Sequence, residues 1–215
     1  SAWTAAAIGI GAAAVKMAGD FDQSMRKVES KLDKTTKGQL PNLKRAIMAL
    51  PPELGEATDL ANALTEALDE GADSAKAMEI LTAGAKLSKA AMSDLGETTK
   101  GLTRFMNAYG KESASAGELG AWMFETGDVD ELAAGIGKIA RNAHDAGISQ
   151  KELLSGLAVM KDHGRSSEEA MKALSSAVRG LIEPGKTAKD AAERLGIDGF
   201  GTALVKARGF VGALE

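Results

Sequence analysis

The stretch "GISQKELLSGLAVMKDHGRSSEEAMKALSSAVRGLIEPGKT", Gly147 to Thr187, decides the fold class. Ser149 is followed three residues later by Glu152, and Ser166 by Glu169. This is the reciprocal pattern in which a helix's first side chain and its third satisfy each other's free backbone amides. Between the caps, Leu153, Leu154, Leu157, Val159 and Met160 supply one apolar face, and Met171, Leu174, Val178 and Leu181 supply the next. Gly164 separates the two where a left-handed stop is needed. Two capped helices are predicted, with Leu153, Leu157 and Met160 of one meeting Met171, Leu174 and Val178 of the other.

The same grammar extends outward. Asp130 to Ala146 carries Leu132, Ile136, Ile139 and Ala143 on one face and stops at Gly147. Asp94 opens a helix through Leu102, Phe105 and Met106 to Gly110. Asp73 or Ser74 opens another through Met78 and Leu81, and Leu60, Leu64 and Leu68 form one closed by Gly71. Pro41 and Pro51-Pro52 bracket a short helix with Leu43 and Ile47. At the start, Ile8, Ala12, Val15, Met25, Val28 and Leu32 keep helical spacing, which predicts one long helix to about Thr36. Nothing alternates with period two for the length of a strand. The 215 residues are 44% apolar but only 4% aromatic, short of the side chains that fill a sheet. The expected fold is all-α: a long N-terminal helix followed by a bundle of about nine short capped helices. The expected division is 1–36, a small-residue helix for oligomerisation; 37–57, a proline-containing connection; and 58–215, the helical core domain.

The chain has no cysteine, so it forms neither a disulfide nor a thiolate metal site. A net charge of −4, with both signs interspersed, gives no electrostatic footprint for nucleic acid. The apolar run Ala5 to Gly19 is short for a bilayer span and carries Lys16. The chain opens directly in that helix, from which a piece of something longer is expected.

"GLIEPGKT", Gly180 to Thr187, matches the phosphate-binding pattern G-x-x-x-x-G-K-[ST] letter for letter. That pattern works when a buried strand delivers its glycine-rich turn to a helix N-terminus. Here a capped amphipathic helix precedes it, and the nearest candidate for a magnesium carboxylate, Asp162, lies inside another helix. The segment reads as a joint between helices. "GIGAAA" (Gly9 to Ala14) and "GIGKIA" (Gly135 to Ala140) also fall within helical patterns, where small residues permit close helix approach. His144 and His163 sit near helix C-termini, which the helix dipole favours for a cationic side chain. Trp3, Tyr109 and Trp122 are expected to be packing anchors, with Trp122, Met123 and Phe124 burying the most area. No catalytic, cofactor-binding or metal-binding residue is assigned, and no cofactor.

The run "DVDELAAGIGKIARNAHDAGISQKELLSGLAVMKDHGRSSEEAMKALSSAVRGLIEPGKTAKDAAERLGI", Asp128 to Ile197, resembles the core region of phage tail tape measure proteins. "ELAA" opens an Ala-rich helix ending "AHDAGIS"; "KELLSGLAVM", a glycine turn and "SSEEAMKALSSAVRGLIEP" follow in the family's order. "MAGDFDQSMRKVESKL", Met17 to Leu32, resembles the family as well. The resemblance implies a structural virion protein rather than an enzyme. It implies a place in the tail tube lumen or tail tip, a part in setting tail length, and release ahead of the DNA. Implied partners are further copies in a symmetric oligomer, taken as a trimer through the N-terminal helix, the tail tube and tip or baseplate proteins, and tail assembly chaperones. During assembly such a protein resides in the host cytoplasm. The alternatives are a non-viral helical adaptor or scaffold and, last, a P-loop nucleotide-binding enzyme.

Overall fold

The computed structural model describes residues 2–197 and 200–212, and the side-chain surroundings of 15–197 and 200–209. The helices run in the order α1 (Ala2–Lys31), α2 (Leu40–Met48), α3 (Ala57–Asp69), α4 (Ala77–Ala91), α5 (Leu95–Tyr109), α6 (Ala116–Thr126), α7 (Val129–Asp145), α8 (Gln150–Asp162), α9 (Ser167–Ile182), α10 (Lys186–Arg194) and α11 (Thr202–Gly212). Single 3₁₀ turns occupy Lys37–Gln39, Pro52–Leu54 and Gly110–Glu112. No strand occurs among the described residues, and the protein is all-α.

The caps place most boundaries where the sequence puts them. Ser149 and Ser166 form complete capping boxes with Glu152 and Glu169, and Ser115 forms a third with Glu118. Asp94 accepts from the Glu97 amide at the start of α5, and Gly147 closes the α7 turn at φ 82. Two starts and one end differ from expectation. The cap of α7 is Asp128, which accepts from the Glu131 amide, rather than Asp130. Asp73 accepts from the Ala75 amide at 2.9 Å, and this turn delays α4 to Ala77. The first helix ends at Lys31 instead of Thr36, because the Asp33 carboxylate collects the amides of Thr35 and Thr36, each at 2.8 Å, and both hydroxyls. Those hydrogen bonds, the Thr35 hydroxyl foremost, hold the Asp33 carboxyl down to about 2.

Helices next to each other in the chain form hairpins, but the broadest packing is between alternate helices. The odd-numbered helices α1, α3, α5, α7 and α9 lie side by side in one layer, and α4, α6 and α8 lie in a second. Within each layer neighbours run parallel. The Asp94 amide at the start of α5 donates to Asp130 at the start of α7, and the Glu168 amide of α9 donates to Glu131. In the other layer the Ala116 amide of α6 donates to Glu79 of α4, and the Ala114 amide donates to Gln150 of α8. Such cross-links join residues 34 to 39 apart in sequence. One helical hairpin of that length is therefore the repeating unit, stacked as in an α-solenoid.

Small residues set the spacing of the stack. A Cβ added at Gly101 of α5 would stand 2.5 Å from the Ala133 Cα of α7, and one at Gly137 would stand 2.8 Å from the Arg104 Cβ. Between layers, Gly84 of α4 lies under Thr99 of α5. The hydroxyls that α5 buries are satisfied locally, Thr99 donating to the Leu95 carbonyl at 2.7 Å and Thr103 to that of Thr99 at 2.8 Å. One core runs between the layers through Phe105, Leu119, Met123, Leu132, Ile136, Leu157 and Leu174. A second gathers Met25, Val28 and Leu32 of α1 with Leu43 and Ile47 of α2, Leu60 and Leu64 of α3, and Leu81 of α4. The predicted meeting of α8 and α9 exists, but α9 rests more on α7, where Met171 lies across Gly135.

Two stability outcomes follow from this packing. Leu157→Ala or Leu174→Ala each leaves a cavity in the shared core and should lower stability by roughly 2–5 kcal/mol, read from denaturant midpoints. Gly101→Ala gains helix propensity, yet its methyl meets backbone, so a net loss of about 1–3 kcal/mol is expected. Gly180→Ala, a helical position with open space around it, should be neutral or up to about 1 kcal/mol more stable. Equal effects of the two glycine substitutions would contradict the close approach of α5 and α7.

Candidate functional site

The segment Gly180 to Thr187 joins two helices in the structure. Residues through Ile182 belong to α9, and α10 begins at Lys186. The Glu183 amide donates to the Arg179 carbonyl at 2.8 Å, and the Ala188 and Lys189 amides donate to that of Gly185. The Glu183 amide is thus committed to a helix hydrogen bond, Pro184 has no amide to offer, and a helix stands where that motif has its strand. Gly135 and Gly137 of "GIGKIA" serve close packing, as described above. "GIGAAA" lies in α1, where the side chains fall outside the described residues, as does that of Trp3.

His144 lies in the last turn of α7, edge-on to Tyr109 with ring centroids 5.1 Å apart and with Glu112 at 3.5 Å. The His163 Nδ1 is 2.8 Å from the Val159 carbonyl at the end of α8. Both sit at helix C-termini as expected, and they are in separate parts of the stack. No group of three or more His, Asp or Glu residues able to hold a metal ion occurs among the described residues. Tyr109 is a buried anchor whose hydroxyl donates to the Ile148 carbonyl at 2.9 Å.

The expected Trp122, Met123 and Phe124 cluster needs correction. Met123 is buried, Trp122 is half-buried and Phe124 is half exposed. Successive helical residues turn by about 100°, so α6 directs only Leu119, Met123 and their periodic neighbours inward. The largest fully buried aromatic is instead Phe105, edge-on to Tyr109 at 5.9 Å.

Several hollows mark the described surface. One, of about 630 Å³, lies between the end of α1, the α3–α4 turn and the end of α5, and includes Lys31, Asp33, Asp73, Lys76 and Lys111. Its two carboxylates are turned onto backbone amides, Asp33 on Thr35 and Thr36 and Asp73 on Ala75. A second, of about 340 Å³ between α5 and α7, holds Arg104, Lys138 and Arg141. There Arg104 forks onto Glu70, its Nε at 2.8 Å, and this hydrogen bonding holds the Glu70 carboxyl below the usual carboxylate range. A third, between α4 and α6, is almost wholly apolar, with Ala83, Leu87, Ala90, Gly117, Gly120 and Ala121 beside Phe124.

Fold and surface together define a helical-repeat scaffold. A family model described as "Phage-related minor tail protein" matches residues 52–215. The chain belongs to that family and is a phage tail structural protein. No curated protein and no solved structure matches it. The family match begins at the double proline, just ahead of α3, and so covers the hairpins from α3 onward.

The sequence reading named the helices but missed their repetition. The available signal was the recurrence of glycine stops: Gly71, Gly110 and Gly147 after odd-numbered helices, Gly127 and Gly164 after even-numbered ones. For the Gly180 to Thr187 segment, calorimetry with ATP and magnesium should give no saturable heat for the wild type or for Lys186→Ala. Micromolar binding that disappears with Lys186 would restore the nucleotide reading.

Proposed function

We propose that this chain is a tail tape measure protein, a non-enzymatic component that occupies the tail tube or tip, takes part in setting tail length and leaves ahead of the DNA. The observation that carries the reading is the ordered series of capped helices from Asp128 to Ile197, lying within the region that belongs to the phage minor tail family. The stack supports it physically. Each hairpin contacts its neighbours alone, so the architecture grows along one direction and presents long continuous surfaces to surrounding proteins. Among the described residues no helix is long and apolar enough to cross a membrane. A net charge of −4 gives passing DNA little to adhere to, and no specific nucleic-acid partner is assigned.

In this reading residues 1–36 form the oligomerisation element, 37–57 the connection and 58–215 the core domain. Copies associate through the N-terminal helix into a symmetric oligomer, a trimer. Tail tube and tip or baseplate proteins surround it in the virion, and assembly chaperones meet it in the host cytoplasm.

The test uses assembled particles. These 215 residues contain no cysteine, so Ser176→Cys, on the exposed side of α9, gives a single labelling point within them. A maleimide probe should fail to reach it in intact tails, and the labelled chain should be gone from particles that have released their genome. A site reached freely in intact tails and retained after release would place the protein on the tail exterior and end the tape measure reading.

A further inference from the structure

Among the described residues the large apolar side chains left exposed fall into two sets, with Ile197, 36% exposed, outside both. One lies on α1, where Val15 is 75% and Met17 58% exposed. The other repeats with the hairpins: Met48 ends α2, Met92 follows α4, Phe124 lies in the last turn of α6, Val159 in that of α8, and Leu195 follows α10. Their exposures are 70%, 92%, 50%, 55% and 75%. Every even-numbered helix thus carries one at its C-terminal end.

For α4, α6 and α8 the layer brings these ends together. Phe124 and Ala90 line the same two hollows, and the Lys161 side chain of α8 lies across Gly127 at the end of α6. Met92, Phe124 and Val159 therefore stand in a row at the same end of three neighbouring parallel helices. The short connections after α4, α6 and α8 set this row beside the starts of α5, α7 and α9. Asp94, Asp128, Asp130, Glu131 and Glu168 are exposed there, with Glu168 paired to Lys172, and they outnumber the basic Lys89, Lys161 and Arg165 beside them.

The first half of α1 leaves the body at the same edge. Lys31 pairs with Asp69, so α1 and α3 run parallel with their C-terminal ends together, and α3 begins only at Ala57. The part of α1 ahead of about Asp20 extends beyond α3. Between Ser1 and Gly19 its only charged side chain is Lys16, and Trp3, Ile10 and Met17 recur every seven residues. Seven helical residues advance about 10.5 Å. Neighbouring packed helices stand about 8–10 Å apart, so the two repeats keep step over several helices.

We propose that this row is the seat for the first half of α1 from a second copy of the chain, its apolar residues meeting Met92, Phe124 and Val159 and Lys16 facing the acidic edge. The proposal rests on the self-association reading above and specifies where the helix binds.

With no cysteine among these 215 residues, introduced pairs can be tested in them directly. Met17→Cys protein mixed with Phe124→Cys protein should form a disulfide-linked dimer of the two, well above the yield of either alone. Phe124→Ser combined with Val159→Ser should weaken association about tenfold or more in sedimentation velocity. Both side chains are at least half exposed, so the denaturant midpoint should hold and separate lost binding from lost folding. Links between two Met17→Cys chains with none to Phe124→Cys would show the first helices meeting one another; self-association would survive and the row would fall. Association unchanged by the double substitution would also overturn the row. A chain that stays monomeric at all concentrations would overturn both.

Discussion

The stack depends on how closely parallel helices approach within a layer. At Gly101 and Ala133 the α5 and α7 backbones leave no room for one methyl group. A larger side chain there would push the two helices apart and tilt every hairpin beyond them, since each unit takes its position from the preceding one. Gly137 against Arg104 and Gly135 against Met171 extend the same constraint toward α9. The core follows from it. Once α5 and α7 are held together, Phe105, Leu132 and Ile136 are buried beneath them, and α6 closes over with Leu119 and Met123.

Polar groups then fix the register. The first amides of a helix lack partners within it, and in this protein neighbouring repeats provide some of them. Asp130 accepts from the start of α5, Glu131 from the start of α9 and Glu79 from the start of α6. Gln150 does more: it accepts from the Ala114 amide while its own amide donates to the Ser113 hydroxyl and the Phe105 carbonyl. Slipping one hairpin against the next by a helical turn would break these bonds together, whereas the apolar contacts alone would tolerate some sliding.

Local features were legible in the sequence because they are written in adjacent residues. Ser149 with Glu152, Ser166 with Glu169, Asp94 before Leu95 and the glycines at Gly71, Gly110, Gly147 and Gly164 are short-range signals, and each produced the expected boundary. Asp33 was overlooked because the apolar spacing carries on through Leu32 and gives no sign of a carboxylate gathering the next two amides. The Trp122 cluster was misjudged because size was weighed without direction around the helix. The two-layer arrangement was harder to see. Parallel neighbours lie two helices apart, and the residues that join them differ from one hairpin to the next, so no phrase recurs letter for letter. The exposed row was invisible for the same reason: Met92, Phe124 and Val159 look like ordinary members of apolar faces until the layers show which side is open.

A layered stack also has a mechanical character that a compact bundle lacks. Pulled from its ends, a bundle resists until its whole core fails at once. A row of hairpins yields at its weakest junction, and each released unit of some 36 residues pays out about 120 Å of extended chain. The weak junction is easily found. α10 buries only Ala192, and α11 touches the body chiefly through Leu204 and Val205 with a break in its helix at Gly209, whereas α5 and α7 are held by backbone contact. Under tension the chain would peel from α11 and α10 inward and hold longest at the α5–α7 pair, converting a wide folded body into a thread one hairpin at a time.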